Sequence, residues 1–138
     1  MAYTDKGRWP IYGVDGKSCL ALSGGSAGDA IYTYKVPTGS PGFYLQAVET
    51  EVSTQFNTTG APAITINRTP SGGALALLKT CTAWATGNAV GHTHIDQTPP
   101  VTATTNLFSA GDTLTIKKSV LATTAGKINI CLHVSDNR

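Results

Sequence analysis

The stretch Phe43–Ile66, FYLQAVETEVSTQFNTTGAPAITI, most limits what this chain can fold into. From Val48 it alternates without interruption. Val48, Thr50, Val52, Thr54 and Phe56 fall on one side, Glu49, Glu51, Ser53 and Gln55 on the other. A β-strand sends successive side chains to opposite faces, so this is a long strand with one buried and one wet face. Upstream, the apolar set Phe43, Leu45 and Ala47 has the opposite parity. One extra residue near Ala47–Val48 reconciles the two halves, which predicts a β-bulge there. The turn-forming run Asn57–Pro62 leads into a second alternation with Ile64 and Ile66 inward. The two runs are expected to pair as a long hairpin around which the rest of the chain packs.

The remaining sequence follows the same grammar. SCLALS at 18–23 is a short strand, Gly24–Asp29 a turn, and Ala30–Val36 a strand in which Ile31, Thr33 and Lys35 oppose Tyr32, Tyr34 and Val36. Pro37–Gly42 is a turn cluster. Residues 74–84, ALALLKTCTAW, fit a strand by alternation and a short helix by their Ala and Leu content, and pattern alone does not separate the two. Residues 85–100 read as a polar loop, alone or with a short strand. Strands follow at 101–108, at 113–118 with Leu114 and Ile116 inward, and at the C-terminal end, where Ile128, Ile130, Leu132 and Val134 share one face. Seven to eight strands separated by turns every 8–12 residues, with no long amphipathic helix in competition, specify an all-β antiparallel sandwich or barrel.

Residues 1–17 lack that periodicity. They form either an N-terminal arm or a first strand, ahead of a β-sandwich domain over 18–138. As an arm, Arg8, Trp9 and Tyr12 would dock on another surface, because aromatics carry large contact area at small entropic cost. As a strand, Trp9 would cap the core.

Length and composition narrow the function. A chain of 138 residues is one domain's worth and can bury a core without a metal or a disulfide. Charged residues are 13%, against about a quarter in an ordinary soluble domain, and Thr, Ser, Gly and Ala take their place. Such a surface sits easily against another protein. A net charge of +2 without basic clusters argues against nucleic acid as a partner. No apolar run is long enough to span a membrane, and Met1–Lys6 lacks the apolar core of a signal peptide. The expectation is a protein made in the cytoplasm. Cys19, Cys81 and Cys131 are odd in number and each lies in a strand-like run, which suits buried free thiols. In that setting the two sequons, at Asn57 and Asn67, are chance matches.

AVETEVSTQFNTTGAPAITI followed by LFSAGDTLTIKKSVLATTAGKINICLHV resembles a pattern found in small structural proteins of tailed bacteriophages. The resemblance rests on Val48, Val52, Thr54, Phe56, Asn57, Ile64 and Ile66, then on Gly111, Asp112, Leu114, Ile116, Ala125, Gly126, Lys127, Ile128, Ile130 and Leu132. It covers residues 43–134, with a gap in the middle. It implies a jelly-roll-like module of the capsid decoration (cement) type. Such a protein sits as a homotrimer on the capsid exterior, binds between major capsid subunits, and uses no cofactor and no catalysis. The alternative is a head-fibre or tail-associated module that binds host carbohydrate through Trp9, Trp84 and the tyrosines, although these aromatics are dispersed in sequence.

Three constellations invite chemistry. His92 and His94 fall on one strand face about 7 Å apart, a spacing that suits metal ligation, and a trimer would bring six imidazoles to its axis. A solvated loop is the plainer reading, and no metal is expected. Glu49 and Glu51 share a wet strand face. Paired carboxylates can hydrolyse glycosides, but these two are better read, with Arg68, as inter-subunit residues, pairing with Arg8, Arg68 or Lys35 on a neighbouring strand or copy. Gly24–Gly28 lacks the Gly-Lys-Ser/Thr ending of a phosphate loop, and no G-x-S-x-G elbow is present. The sequence therefore points away from an enzyme.

Overall fold

The computed structural model describes residues 6–11, 20–21, 26–54, 63–81, 90–91, 93–97, 106–120 and 126–136. Within them lie ten strands: β1 (Lys6–Ile11), β2 (Leu20–Ala21), β3 (Ala30–Lys35), β4 (Phe43–Thr54), β5 (Ala63–Thr69), β6 (Ala76–Cys81), β7 (Thr93–Gln97), β8 (Leu107–Phe108), β9 (Thr113–Val120) and β10 (Lys127–Asp136). The predicted seven to eight become ten because Lys6–Ile11, left open as arm or strand, and Thr93–Gln97, inside the run read as a polar loop, both form strands. No α-helix occurs among the described residues, so the ambiguous run after Gly73 is strand β6. Of the strand expected over 101–108, only Leu107–Phe108 is described as one.

The strands form two antiparallel sheets, β1-β10-β4-β7 and β3-β9-β5-β6, with β2 beside β10 and β8 beside β4. Apart from β2 and β8, eight strands pair first with last and so inward: β1 with β10, β3 with β9, β4 with β7, β5 with β6. A chain folded once into a long hairpin and then wound over two sheets has this pairing, which is the jelly-roll arrangement.

The hairpin expected between β4 and β5 does not form. β4 has β10 on one side and β7 and β8 on the other, and β5 lies in the opposite sheet between β9 and β6. Alternation tells each strand which face to bury but not which neighbour to take. Crossing between the sheets buries Val48 and Val52 in the same core as Ile64 and Ile66.

The predicted bulge is present. Leu45 opposes Val134 and Ala47 opposes His133, leaving Gln46 unmatched on β4. The inward set thereby changes from Phe43 and Leu45 to Val48, Thr50 and Val52, all fully buried. β10 contributes Ile128, Ile130, Leu132 and Val134 to the core, and β9 contributes Leu114 and Ile116.

β1 shows that Lys6–Ile11 is a first strand and not an arm. It runs in register along β10, from Lys6 opposite Ser135 to Ile11 opposite Ile130. Trp9 is only 8% exposed. Its ring meets Tyr34, Phe43 and Tyr32 edge to face at 4.8, 5.6 and 6.0 Å, and Phe43 stacks on Phe108 at 5.0 Å. These rings tie β1 and β4 of one sheet to β3 of the other. Aromatics dispersed in sequence are thus gathered in space. Burial, reinforced by neighbouring Tyr34, pushes the Tyr32 hydroxyl pKa up against the hydrogen bond from Trp9.

Three turns converge on Asp112. Its carboxylate accepts from the backbone amides of Ser71 and Ser109, each at 2.9 Å, and from Arg68 Nε at 3.2 Å. Its backbone carbonyl accepts from the Val36 amide at 2.9 Å. Burial works to raise the carboxyl's pKa, but the two amides and the guanidinium outweigh it and hold the pKa below the ordinary value.

Candidate interaction surface

The inward set on each strand fixes what each sheet shows to solvent. On the first sheet, Glu49 and Glu51 of β4 lie beside Asn129, Cys131, His133 and Ser135 of β10, with Glu49 opposite Cys131 and Glu51 opposite Asn129. His133 Nε2 lies 2.9 Å from Glu49 Oε1. The Asn129 amide donates to Glu51 Oε1 at 3.1 Å, and the Gln46 amide donates to Ser135 Oγ at 2.6 Å. These are cross-strand pairs on an open sheet face. The His133 and Glu49 side chains are 31% and 23% exposed, so screening limits their pairing to about 1 kcal/mol or less.

The second sheet shows a different face. On β9, Leu114 and Ile116 point into the core, so Thr113, Thr115 and Lys117 take the outer side. The register then sets three rows across the sheet. Lys35, Thr113 and Thr69 form one; Thr33, Thr115, Asn67 and Leu77 the next; Ala30, Lys117, Thr65 and Thr80 the third. Asn67 is buried within this face, where its amide donates to Thr65 Oγ1 at 3.0 Å and to the Thr115 carbonyl at 3.4 Å.

Among the described residues, β6 has β5 as its one strand neighbour and β7 has β4. An edge strand of this kind can take a further strand beside it. This β6 margin is also apolar, with Leu75, just before β6, 46% exposed and Leu77, within it, 59% exposed. Ile95, on β7, is 48% exposed.

The residues singled out from the sequence do not assemble into one site. Trp9 is a core residue and is not free to dock. Arg8 takes the β1 position opposite His133, but its side chain lies outside the described residues, as does Tyr12. Glu49 and Glu51 lie on the first sheet, whereas Arg68 lies on the second and is held by Asp112. Within the chain Glu49 pairs with His133 and Glu51 with Asn129, because β10 is the strand laid beside them. His92 lies outside the described residues, and His94 occupies the β7 position opposite Thr50. Among the described residues, no group of three or more His, Cys, Asp or Glu could hold a metal ion. Cys81 is buried and Cys131 half-buried, both as free thiols; Cys19 lies outside the described residues.

Two features escaped the sequence reading. Asp112 ends the turn Ser109-Ala110-Gly111-Asp112, and an Asp there commonly captures turn amides, so that part was legible. Its partnership with Arg68, far away in the sequence, was not. The apolar β6 edge was hidden because an alternating apolar run reads as buried whichever strand it belongs to. No helix among the described residues is long and apolar enough to cross a membrane. No family model, curated protein or solved structure matches the chain.

Proposed function

We propose that this chain is a virion structural protein of a tailed bacteriophage. In this reading it is a capsid decoration (cement) protein on the outside of the head shell, bound between major capsid subunits as a homotrimer. Its work is mechanical and needs no cofactor or catalytic group. Each copy buries area against its sisters and the shell, and three modest contacts on one trimer act together to resist outward pressure.

The observation that carries this reading is the β6 margin, where the strand has one neighbour among the described residues and two leucines, Leu75 just before it and Leu77 within it, are exposed. Single exposed apolar residues are ordinary. Two of them at the margin of a sheet offer a self-association surface, because a sister copy can lie against both. The sparsely charged, threonine-rich outer face of the second sheet and the resemblance over residues 43–134 agree with the same role.

Sedimentation of the purified protein tests the assembly. The expected mass is three times 14.3 kDa, falling to a single copy in Leu77→Glu. Antibodies raised against the chain should label the head exterior of particles that carry it. A monomer at every concentration, or labelling at the tail, sinks the decoration reading. Either result favours the second reading, a head-fibre or tail-associated module binding host carbohydrate, which draws on the half-buried Tyr32 and Tyr34 beside Trp9. The decoration reading is preferred because those rings meet Trp9 edge to face and do not form a flat stacking platform.

A further inference from the structure

Charge is distributed unequally between the sheets. The four strands of the second sheet carry Lys35, Arg68, Lys79, Lys117 and Lys118 and contain no Asp or Glu. Arg68 is engaged by Asp112 from the adjoining turn. Both of the chain's glutamates, Glu49 and Glu51, lie on the first sheet. The outer face of the second sheet combines Lys35 and Lys117 with Thr33, Thr65, Thr69, Thr80 and Thr113, and Leu77 stands at its β6 margin.

We infer that this outer face is a docking surface and that its partner is an acidic protein surface. This deepens the decoration reading, and rests on it for placing that acidic surface on the shell. Two lysines on a face whose strands carry no Asp or Glu complement scattered carboxylates. Threonine hydroxyls can meet polar groups from either side as donor or acceptor, and their methyls pack against flat apolar area. Nucleic acid fits less well, because two lysines in this area give little phosphate neutralisation and the face, among the described residues, has no arginine or aromatic to stack a base. An acidic glycan fits less well for the same lack of a stacking ring. A second copy fits less well too. Both of its glutamates lie on the opposite outer face of the sandwich, and joining opposite faces copy to copy builds an open stack, not a closed ring.

The test measures binding of the full chain to poly-L-glutamate, with duplex DNA and heparin as competing probes, over a range of salt. The wild type should bind poly-L-glutamate more tightly than either competitor, and salt should weaken the binding. Lys35→Glu with Lys117→Glu should lose about tenfold or more in affinity at an unchanged melting temperature. Lys127→Glu, an exposed lysine change on the other sheet, should leave binding as it was. If the double reversal does not fold, Lys35→Gln with Lys117→Gln serves, with the same direction of change. No binding by the wild type, tighter binding to DNA or heparin, or equal loss in Lys127→Glu overturns the inference. The probe is a polymer and not a phage head, so the outcome does not depend on where the protein sits on a particle. A chain that binds poly-L-glutamate through these lysines but labels tails would overturn the decoration reading alone.

Discussion

Arg68 Nε and Asp112 Oδ2 meet at 3.2 Å, joining β5 to the turn that opens β9. The same carboxylate holds the amides of Ser71 and Ser109, so one side chain fixes the β5–β6 turn and the β8–β9 turn against each other. Replacing Asp112 with Ala strands two amides and a guanidinium. We expect a loss of about 1–3 kcal/mol in denaturant unfolding. Asp112→Asn should lose less, because one amide acceptor survives.

The same carboxylate sets an acid limit. Its folded pKa lies below the ordinary value, so the folded state prefers the ionised form. The stabilisation is fully present above the unfolded value of about 3.9. It disappears as pH falls through the lower, folded value. Melting temperature followed from pH 6 downward should therefore fall more steeply in the wild type than in Asp112→Asn below about pH 4. Parallel curves would mean that Asp112 contributes no proton linkage.

Gly42 governs how closely β8 approaches β4. Its φ is +83°, in the left-handed region, and an added Cβ would overlap the Phe108 carbonyl oxygen. Gly42→Ala therefore combines backbone strain with a backbone clash that no rotamer relieves. It should cost more than about 2 kcal/mol. It should also disturb the Phe43–Phe108 stack, visible as altered near-ultraviolet circular dichroism. An unchanged melting temperature would show that β8 can shift freely.

These positions show what the sequence carried and what it withheld. The outward and inward sets of β4, β9 and β10 were legible, because period-two alternation is a local property. So was the parity change that places a bulge at Gln46, one residue before the expected position. The partnership of β4 was not legible, since adjacency in sequence favours a hairpin with β5 while the wound topology gives β4 to β10 and β7. For the candidate surface, the low charge was plain in composition. The absence of Asp and Glu from the strands of the second sheet, with both glutamates on the first, depends on which strands share a sheet, and appears only when the topology is known.

Glu49 and His133 form a pair whose contribution should be small. Both side chains are partly exposed, so solvent screens the attraction. Glu49→Gln keeps a hydrogen-bond acceptor at the same place. It should change unfolding free energy by less than about 1 kcal/mol at neutral pH. A larger loss would mean that the outer face of the first sheet is more deeply covered in solution, as it would be inside an assembly. Repeating the measurement below the self-association concentration would separate the two effects.

Trp9 offers the sharpest contrast between arm and strand. An arm residue can be deleted without harm to the fold, whereas a core residue cannot. Trp9 is 8% exposed and touches Tyr32, Tyr34 and Phe43, which come from both sheets. Trp9→Ala should cost about 3–5 kcal/mol, the range for emptying a large aromatic site in a packed core. Trp9→Phe should recover much of that, because a ring still fills the space between the sheets. Removing residues 1–11 should be worse than either, since it also strips β10 of the ladder that runs from Lys6 to Ile11. The expected result is loss of cooperative thermal unfolding, with the β10 edge exposed and prone to aggregate. A truncated chain that still melts cooperatively near the wild-type temperature would return Lys6–Ile11 to the role of a detachable arm. The rings of Tyr32 and Tyr34 would then be available to a ligand in place of Trp9.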